Sequence, residues 1–375
     1  MASRATPAAA ALEREVRRQD GSGHELLLVR RGRRTGAHTI VAVHSTVLGP
    51  ALGGCRMWRY ADLQAAIDDA LRLSAAMTLK AAAAQLPLGG GKAVIFPPDD
   101  LDIHGPERRS LLHDFADTVN LLRGMYITAE DVGTTAADMA VLSGYSKHVV
   151  GAPAQRGGSG DPGDFTAAGV QAAMRACVAD RFGSSDLAQR SVALVGLGHV
   201  GEPLARRLAK AGATLVLSDI DEAKRALASE LDAAWQPPER ALRADVDVLA
   251  PCALGGVIDD HVAGELRARI VCGSANNQLA EEGVAEMLAA RGVLYAPDFI
   301  VNSGGLINVS LELTGYDREV ATRRVAEIES VLGAILDHAR AAGTTPLAAA
   351  LDLARSRIAL ASAHGERANG SAQTV

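Results

Sequence analysis

The chain has 375 residues, 48% of them hydrophobic and 22% charged, with 38 basic against 44 acidic residues and a net charge of −6. That length holds two domains of ordinary size. The acidic balance and the 3% aromatic content give no reason to expect nucleic acid or an anionic membrane as partner. No apolar run approaches the roughly 18 residues that would span a bilayer.

In chain order, Met1 to Leu12 is Ala-rich and passes into Glu13-Arg14-Glu15, a frayed or helical leader rather than a secretory signal. His38 to His44 has strand composition. Leu63, Ile67, Leu71 and Met77 recur at helical spacing, which places Lys80 near the C-terminal end of a helix. The stretch Lys80-Ala81-Ala82-Ala83-Ala84-Gln85-Leu86-Pro87-Leu88-Gly89-Gly90-Gly91-Lys92 then sets two lysines around an Ala-rich turn and a Gly triplet. The triplet lets backbone approach a ligand closely. Lys92, at the mouth of the apolar strand Ala93 to Phe96, is expected to be partly desolvated, a condition that turns lysine into a base near neutral pH. Leu111 to Leu122 reads as a helix and Met125 to Ala129 as a strand.

Gly151 to Gly163 is the most Gly/Pro-rich segment and the expected domain junction. Beyond it, Ser191 to Val195 is a continuous apolar strand of the kind buried in parallel sheets. Gly196-Leu197-Gly198-His199-Val200-Gly201 follows, then a helix to about Lys210. Thr214 to Ser218 is the next strand and ends at Asp219. A Gly-x-Gly-x-x-Gly run with a strand before it, a helix after it and an acidic residue closing the next strand is the dinucleotide fingerprint. The helix N-terminus favours the pyrophosphate. Asp219, with Asp221 beside it and no neighbouring Arg, should accept from a ribose hydroxyl and repel a 2′-phosphate, so NAD is expected over NADP. Apolar strands at Val246 to Ala250, Ile270 to Cys272 and Val293 to Tyr295 continue the alternation, and the chain is helical from about Gly304.

Cys55, Cys177, Cys252 and Cys272 form no C-x-x-C pair and no metal-ligand spacing, so no metal is expected. Free thiols of a reducing compartment are the simplest reading, and with it a cytoplasmic protein.

The segment from Lys80 to Lys92, with Thr128-Ala129-Glu130-Asp131-Val132-Gly133-Thr134-Thr135 and Gly53-Gly54-Cys55-Arg56-Met57-Trp58, closely resembles the signature of the glutamate/leucine/phenylalanine/valine amino-acid dehydrogenases, and within them the leucine/valine branch. The resemblance runs from about Gly49 to Arg357. It implies an α/β chain with an N-terminal catalytic and oligomerisation domain (1–151), a Rossmann-type NAD domain (152–335) and a C-terminal helical segment (336–375) packing back on the first. It further implies an active site in the interdomain cleft and a homo-oligomer.

By resemblance, Lys92 is the general base, Lys80 binds the substrate carboxylate and Asp131 shuttles protons. Leu52, Gly53, Ala129, Asn277, Leu306 and Val309 face substrate. Arg56, Thr166, the loop from Gly196 through Leu197, Gly198, His199 and Val200 to Gly201, Asp219, Ile220, Cys252, Ala253 and Asn277 border the cofactor. Cys55 stands where the family commonly has threonine, and Ser274 where alanine is usual. Leu52 and Val309 offer nothing to a distal carboxylate, which argues against glutamate. The expected reaction is reversible NAD-dependent oxidative deamination of leucine, valine or isoleucine to the 2-oxo acid and ammonia. An aromatic amino-acid dehydrogenase and a catalytically silent NAD-binding protein are the alternatives.

Overall fold

The computed structural model describes residues 14–16 and 23–372, with 14–16 and 365–372 described by backbone alone. The leader Met1 to Leu12 lies outside the described residues. The chain divides into two compact units. The first takes in the described residues to Ala82, Pro87–Gly160 and the chain from Ala361; the second takes in Ala83–Leu86 and Asp161–Leu360. The division at Gly160 falls inside the Gly/Pro-rich segment.

The first unit is built on a mixed sheet of β1 (Arg14–Val16), β2 (Leu26–Arg31), β3 (His38–Ser45), β4 (Ala51–Met57), β5 (Gly89–Phe96) and β6 (Tyr126–Glu130). Their order is β1-β2-β3-β5-β4-β6. The pairs from β1 to β5 are antiparallel, whereas β4 runs parallel to both β5 and β6. Strand alternation sorts the side chains. Leu27, Ile40, Ala42 and Val94 point to one face and meet Ala66 and Ala70 of α1 (Leu63–Ala83). Val41, Val43, Cys55, Met57, Ile95 and Tyr126 point to the other. There they meet Leu111, Phe115 and Val119 of α2 (Arg108–Leu121), and Met139 and Leu142 of α3 (Ala136–Ser143). Both faces are covered, so the middle of β3 reads as an unbroken apolar run from Ile40 to Val43.

One expectation is corrected here. The strand read as Ala93 to Phe96 begins at Gly89, so the Gly triplet and Lys92 lie inside β5 rather than in a loop before it. Gly90 and Gly91 are packed by protein on the two faces of β5. A Cβ at Gly90 would overlap the backbone and hydroxyl of Thr78 on α1, and one at Gly91 would stand 2.6 Å from the Tyr126 ring. Only a residue without a side chain lets α1 and Tyr126 close on the strand from its two faces.

The second unit has an all-parallel sheet of β7 (Ser191–Val195), β8 (Thr214–Ser218), β9 (Ala234–Trp235), β10 (Val248–Pro251), β11 (Ile270–Val271) and β12 (Leu294–Tyr295). Its order, β9-β8-β7-β10-β11-β12, is the 3-2-1-4-5-6 arrangement of dinucleotide-binding sheets. The order reverses between β7 and β10, and a crevice opens at such a switch point beyond the strand C-termini. Helices α4 (Gly163–Phe182) and α5 (Gly201–Lys210) pack against each other, and Ile328–Ala342 packs along α4. Residues 336–360, expected with the first domain, fall in the second unit. Among the described residues no helix is long and apolar enough to cross a membrane.

Candidate active site

In the first unit, strand parity decides which groups share a face. Cys55 and Met57 belong to the core under α2, so Leu52, Gly54 and Arg56 point to the α1 side of β4. By the same count Gly90, Lys92 and Val94 of β5 and Ile127 and Ala129 of β6 point there too. The face that carries the expected base therefore also carries Leu52 and Ala129, which are 2% and 7% exposed. Lys80, in the last turn of α1, is half-buried on the helix that covers this face.

Lys92 is buried, and a buried ammonium needs an anionic partner. Its Nζ lies 2.7 Å from Oδ2 of Asp131. That oxygen also accepts from Arg56 Nε at 3.0 Å. Burial pushes the Asp131 carboxyl up, but the charges and hydrogen bonds of Lys92 and Arg56 outweigh it and hold the group below its ordinary value. The carboxylate is thus ionised across the neutral range, with its proton affinity set by two cations. The desolvated lysine expected from the sequence is a compensated one: its charge is matched by the group with which it would exchange protons.

The loop bearing Asp131 is tightly held. The Asp131 N–H donates to Thr134 Oγ1 at 2.9 Å, and the Thr134 hydroxyl donates to the Cys55 carbonyl at 2.7 Å. Met57 N–H donates to the Val132 carbonyl at 2.9 Å, extending the β4 contact beyond β6. Asp138 caps α3 in a reciprocal box with Thr135 and pairs with Arg108 at 2.6 Å. Gly54 leaves room for the carboxylate, because a Cβ there would stand 2.7 Å from the Asp131 Cβ. Cys55, in the place of the family's threonine, is wholly buried and its thiol is pushed well up by burial, so it is an inert packing group.

Arg56 continues outward. Its Nη1 donates to Asp69 Oδ2 at 2.8 Å, and the same oxygen accepts from the Tyr60 hydroxyl at 2.7 Å. Asp69 Oδ1 accepts from Arg72 Nη2 at 2.6 Å. Tyr60, Asp69 and Arg72 were not singled out from sequence, and neither was Thr134. A signal existed for Asp69: it precedes Lys80 by about three turns of α1, which places both on one stripe of the helix. Arg56, expected beside the cofactor, has Nε and Nη1 turned to these two carboxylates.

In the second unit, the expected cofactor residues gather at the switch point. Gly196 follows β7 with φ +103°, and a Cβ there would stand 2.7 Å from that of Ala253. Cys252 N–H donates to the Val195 carbonyl at 2.8 Å, which holds the Cys252-Ala253 turn against the Gly-rich loop. Gly198 is exposed, with open space where a Cβ would stand, as close approach of a pyrophosphate requires. Val200 precedes α5 and Gly201 begins it, so the loop ends on a helix N-terminus. His199, exposed, lies 3.5 Å from Asp161.

Asp219, expected at the cofactor ribose, is engaged within the protein. Its Oδ2 accepts from the Leu197 N–H at 2.6 Å and its Oδ1 from the Asp221 N–H at 2.9 Å, so it locks the Gly-rich loop. Ile220 beside it is 92% exposed. Asn277 adopts φ +50°, a left-handed conformation asparagine tolerates, and its carbonyl accepts from the Gly256 N–H at 2.6 Å. This ties the turns after β10 and β11 together. Thr166 donates to the Pro162 carbonyl at 2.9 Å, and a Cβ on Gly305 would meet its hydroxyl at 2.7 Å. Leu306 and Val309, in the helix Gly304–Ser310, are buried.

Comparison with known proteins agrees with both units. Residues 27–148 match the family described as Glu/Leu/Phe/Val dehydrogenase, dimerisation domain, and residues 217–365 match Glutamate/Leucine/Phenylalanine/Valine dehydrogenase. The chain is 41% identical to leucine dehydrogenase of Thermoactinomyces intermedius over 89% of its length and 91% of the relative's. It is 42% identical to L-tryptophan dehydrogenase of Nostoc punctiforme over 90% and 94%, and 40% identical to valine dehydrogenase of Streptomyces albus over 92% and 94%. The crystal structure of the Nostoc enzyme superposes with a TM-score of 0.78 at 39% identity, covering 90% of this chain and 97% of that one. The chain belongs to the Glu/Leu/Phe/Val dehydrogenase family and is an amino-acid dehydrogenase, an oxidoreductase acting on the CH–NH2 group.

Proposed function

We propose that the chain catalyses reversible, NAD-dependent oxidative deamination of a branched-chain L-amino acid (leucine, valine or isoleucine) to the 2-oxo acid and ammonia. The observation that carries this reading is the 2.7 Å pair of Lys92 and Asp131, buried on the α1 face of the sheet beside Leu52 and Ala129. NAD supplies the hydride acceptor. The loop from Gly196 to Gly201 and the N-terminus of α5 hold its pyrophosphate, and Asp219 takes a ribose hydroxyl and disfavours a 2′-phosphate. Exposed Ile220 offers apolar cover to the adenine; Thr166, Cys252, Ala253 and Asn277 border the nicotinamide end.

Lys80 binds the substrate carboxylate. Once the substrate is an iminium, Lys92, by giving up its proton, becomes the base that removes one from the attacking water. Asp131, within hydrogen-bond reach of Lys92, carries protons to and from the departing amine. Leu52 and Ala129 offer no charge or hydrogen bond to a distal carboxylate, which disfavours glutamate; Leu306 and Val309 of the second unit are likewise apolar. The absence of disulfides among Cys55, Cys177, Cys252 and Cys272 fits a cytoplasmic enzyme, and the match to a dimerisation domain supports a homo-oligomer.

The relative named L-tryptophan dehydrogenase supports a second reading, an aromatic substrate. NAD reduction with L-leucine, valine, isoleucine, phenylalanine, tryptophan and glutamate separates the two. Highest kcat/KM on an aliphatic branched substrate, abolished in Lys92→Ala, is expected. Preference for tryptophan or phenylalanine would replace the substrate assignment, and NAD binding without turnover of any of them would overturn the chemistry.

A further inference from the structure

The ion pair of Lys92 and Asp131 does not end at Arg56. Lys92, Asp131, Arg56, Asp69 and Arg72 form a chain of alternating charge with every link between 2.6 and 3.0 Å. Tyr60 donates to the Asp69 oxygen that Arg56 also reaches. Asp69 is well shielded, its side chain 13% exposed, although it lies on the covering helix and not in the sheet. Burial pushes its carboxyl up, and the hydrogen bonds of Tyr60 and Arg72 with the Arg56 charge bring it below its ordinary value, so it stays an anion. Asp69 is thus a shielded anion with one oxygen held by Arg72 and the other shared by Tyr60 and Arg56. The guanidinium is shared between two carboxylates, and only Nε is given to Asp131.

We propose that Asp69 is a positioning residue for the reaction: acting through Arg56, it holds the Asp131 carboxylate in register with Lys92 and keeps Arg56 from claiming it entirely. The inference rests on the roles given above to Lys92 and Asp131. Without the Asp69 charge, Arg56 has one carboxylate left and is free to rotate so that both Nε and Nη bond Asp131, the bidentate form guanidinium prefers. Asp131 is then drawn off Lys92 and binds its transferable proton less readily. The titratable groups that bear on the Asp131 carboxylate are Lys92 from β5, Arg56 and Cys55 from β4 and Tyr126 from β6. Tyr60 from the turn after β4 and Arg72 from α1 bear on Asp69, which reaches Asp131 through Arg56. Among the described residues, Asp69 is the second carboxylate paired with Arg56, beside Asp131.

The test is Asp69→Asn, which keeps the shape and the Tyr60 hydrogen bond but loses the charge, with Asp69→Glu as the charge-restoring variant. For Asp69→Asn, kcat for the amino acid should fall about 10–100-fold, the scale of a small misplacement of a reacting group. KM should change by less than about 3-fold, since Lys80 and not this chain of charges binds the carboxylate. NAD affinity should be unchanged and the pH–kcat profile should move to lower pH. Asp69→Glu should recover most of the rate. If Asp69→Asn fails to fold, Tyr60→Phe, which removes only a hydroxyl from Asp69, should lower kcat a few-fold in the same sense. Wild-type kcat and pH profile in Asp69→Asn, or in Tyr60→Phe where that variant decides, would overturn the proposal while leaving the Lys92 chemistry intact. Full activity of Lys92→Ala would instead overturn the reading on which it rests.

Discussion

At the residue scale, Lys92 and Asp131 behave as one unit, because each is the other's charge compensation. Lys92→Ala should therefore lower kcat by about 10²–10⁴-fold, the usual worth of a positioned acid–base group. It also leaves Asp131 to Arg56 alone, so exogenous amines should restore little of the loss; steady-state kinetics with and without methylamine check this. Asp131, Asp69 and Asp138 all have carboxyls held below their ordinary value by cationic partners. The sign follows from linkage: the folded state binds these protons less readily than the unfolded chain. Their stabilisation is complete above the unfolded carboxyl pKa of about 4 and is lost as pH falls through the folded values. Thermal unfolding should show a Tm insensitive to these groups from pH 6 to 8 and falling steeply below about pH 4; a Tm maximum near pH 4 would contradict this. Lys92 and Asp131, named by the resemblance, were legible as a pair in that the fold brings them to 2.7 Å. Asp69, Tyr60 and Arg72 were not, because a charge on an amphipathic helix ordinarily faces water, and only the fold shows which way it turns.

Secondary-structure elements explain what composition alone did not show for the Gly triplet, namely that protein packs on both its faces. Pairing decides it: β5 lies between β3 and β4, with α1 on one face and Tyr126 on the other. The same geometry makes Gly54→Ala informative. Its new Cβ would press on the Asp131 Cβ and on the Glu130 carbonyl, 2.5 Å away. The variant should fold, with kcat reduced about 10²-fold and NAD affinity unchanged. Asp138→Ala, which removes both the α3 cap and the partner of Arg108, should lower stability by about 2–3 kcal/mol on denaturant titration. Strand limits moved by a few residues from expectation, as with Tyr126–Glu130, because hydrogen bonding to neighbours and not local composition ends a strand.

For the whole molecule, the second unit was the more legible. Its strand, Gly-rich turn, helix and second strand are contiguous in sequence, so the local pattern already contains the site. In the first unit the face of β4, β5 and β6 is assembled from segments around residues 54, 69, 92 and 131, and no local window contains it. Asp219 links sequence motif to loop mechanics, and its hold on the loop can be separated from its proposed choice of cofactor. Asp219→Asn should keep the bond from the Leu197 N–H yet lose the negative charge, so NAD should still bind while kcat/KM with NADP rises relative to NAD. Asp219→Ala should weaken both cofactors by unlocking the loop. Equal discrimination in Asp219→Asn and wild type would remove Asp219 from cofactor selection.

The close packing around Gly90 and Gly91 also bears on how related chains should be read from genomes. A descendant that abandoned deamination but kept this fold would still need those glycines, since α1 and the Tyr126 ring would still press on the strand. Their presence in a newly sequenced chain therefore identifies architecture and says nothing about turnover. On the roles proposed above, the residues released once chemistry is lost are Lys80 and the Lys92–Asp131 pair, the pair only together because each compensates the other's charge, and a degenerate copy would first betray itself there.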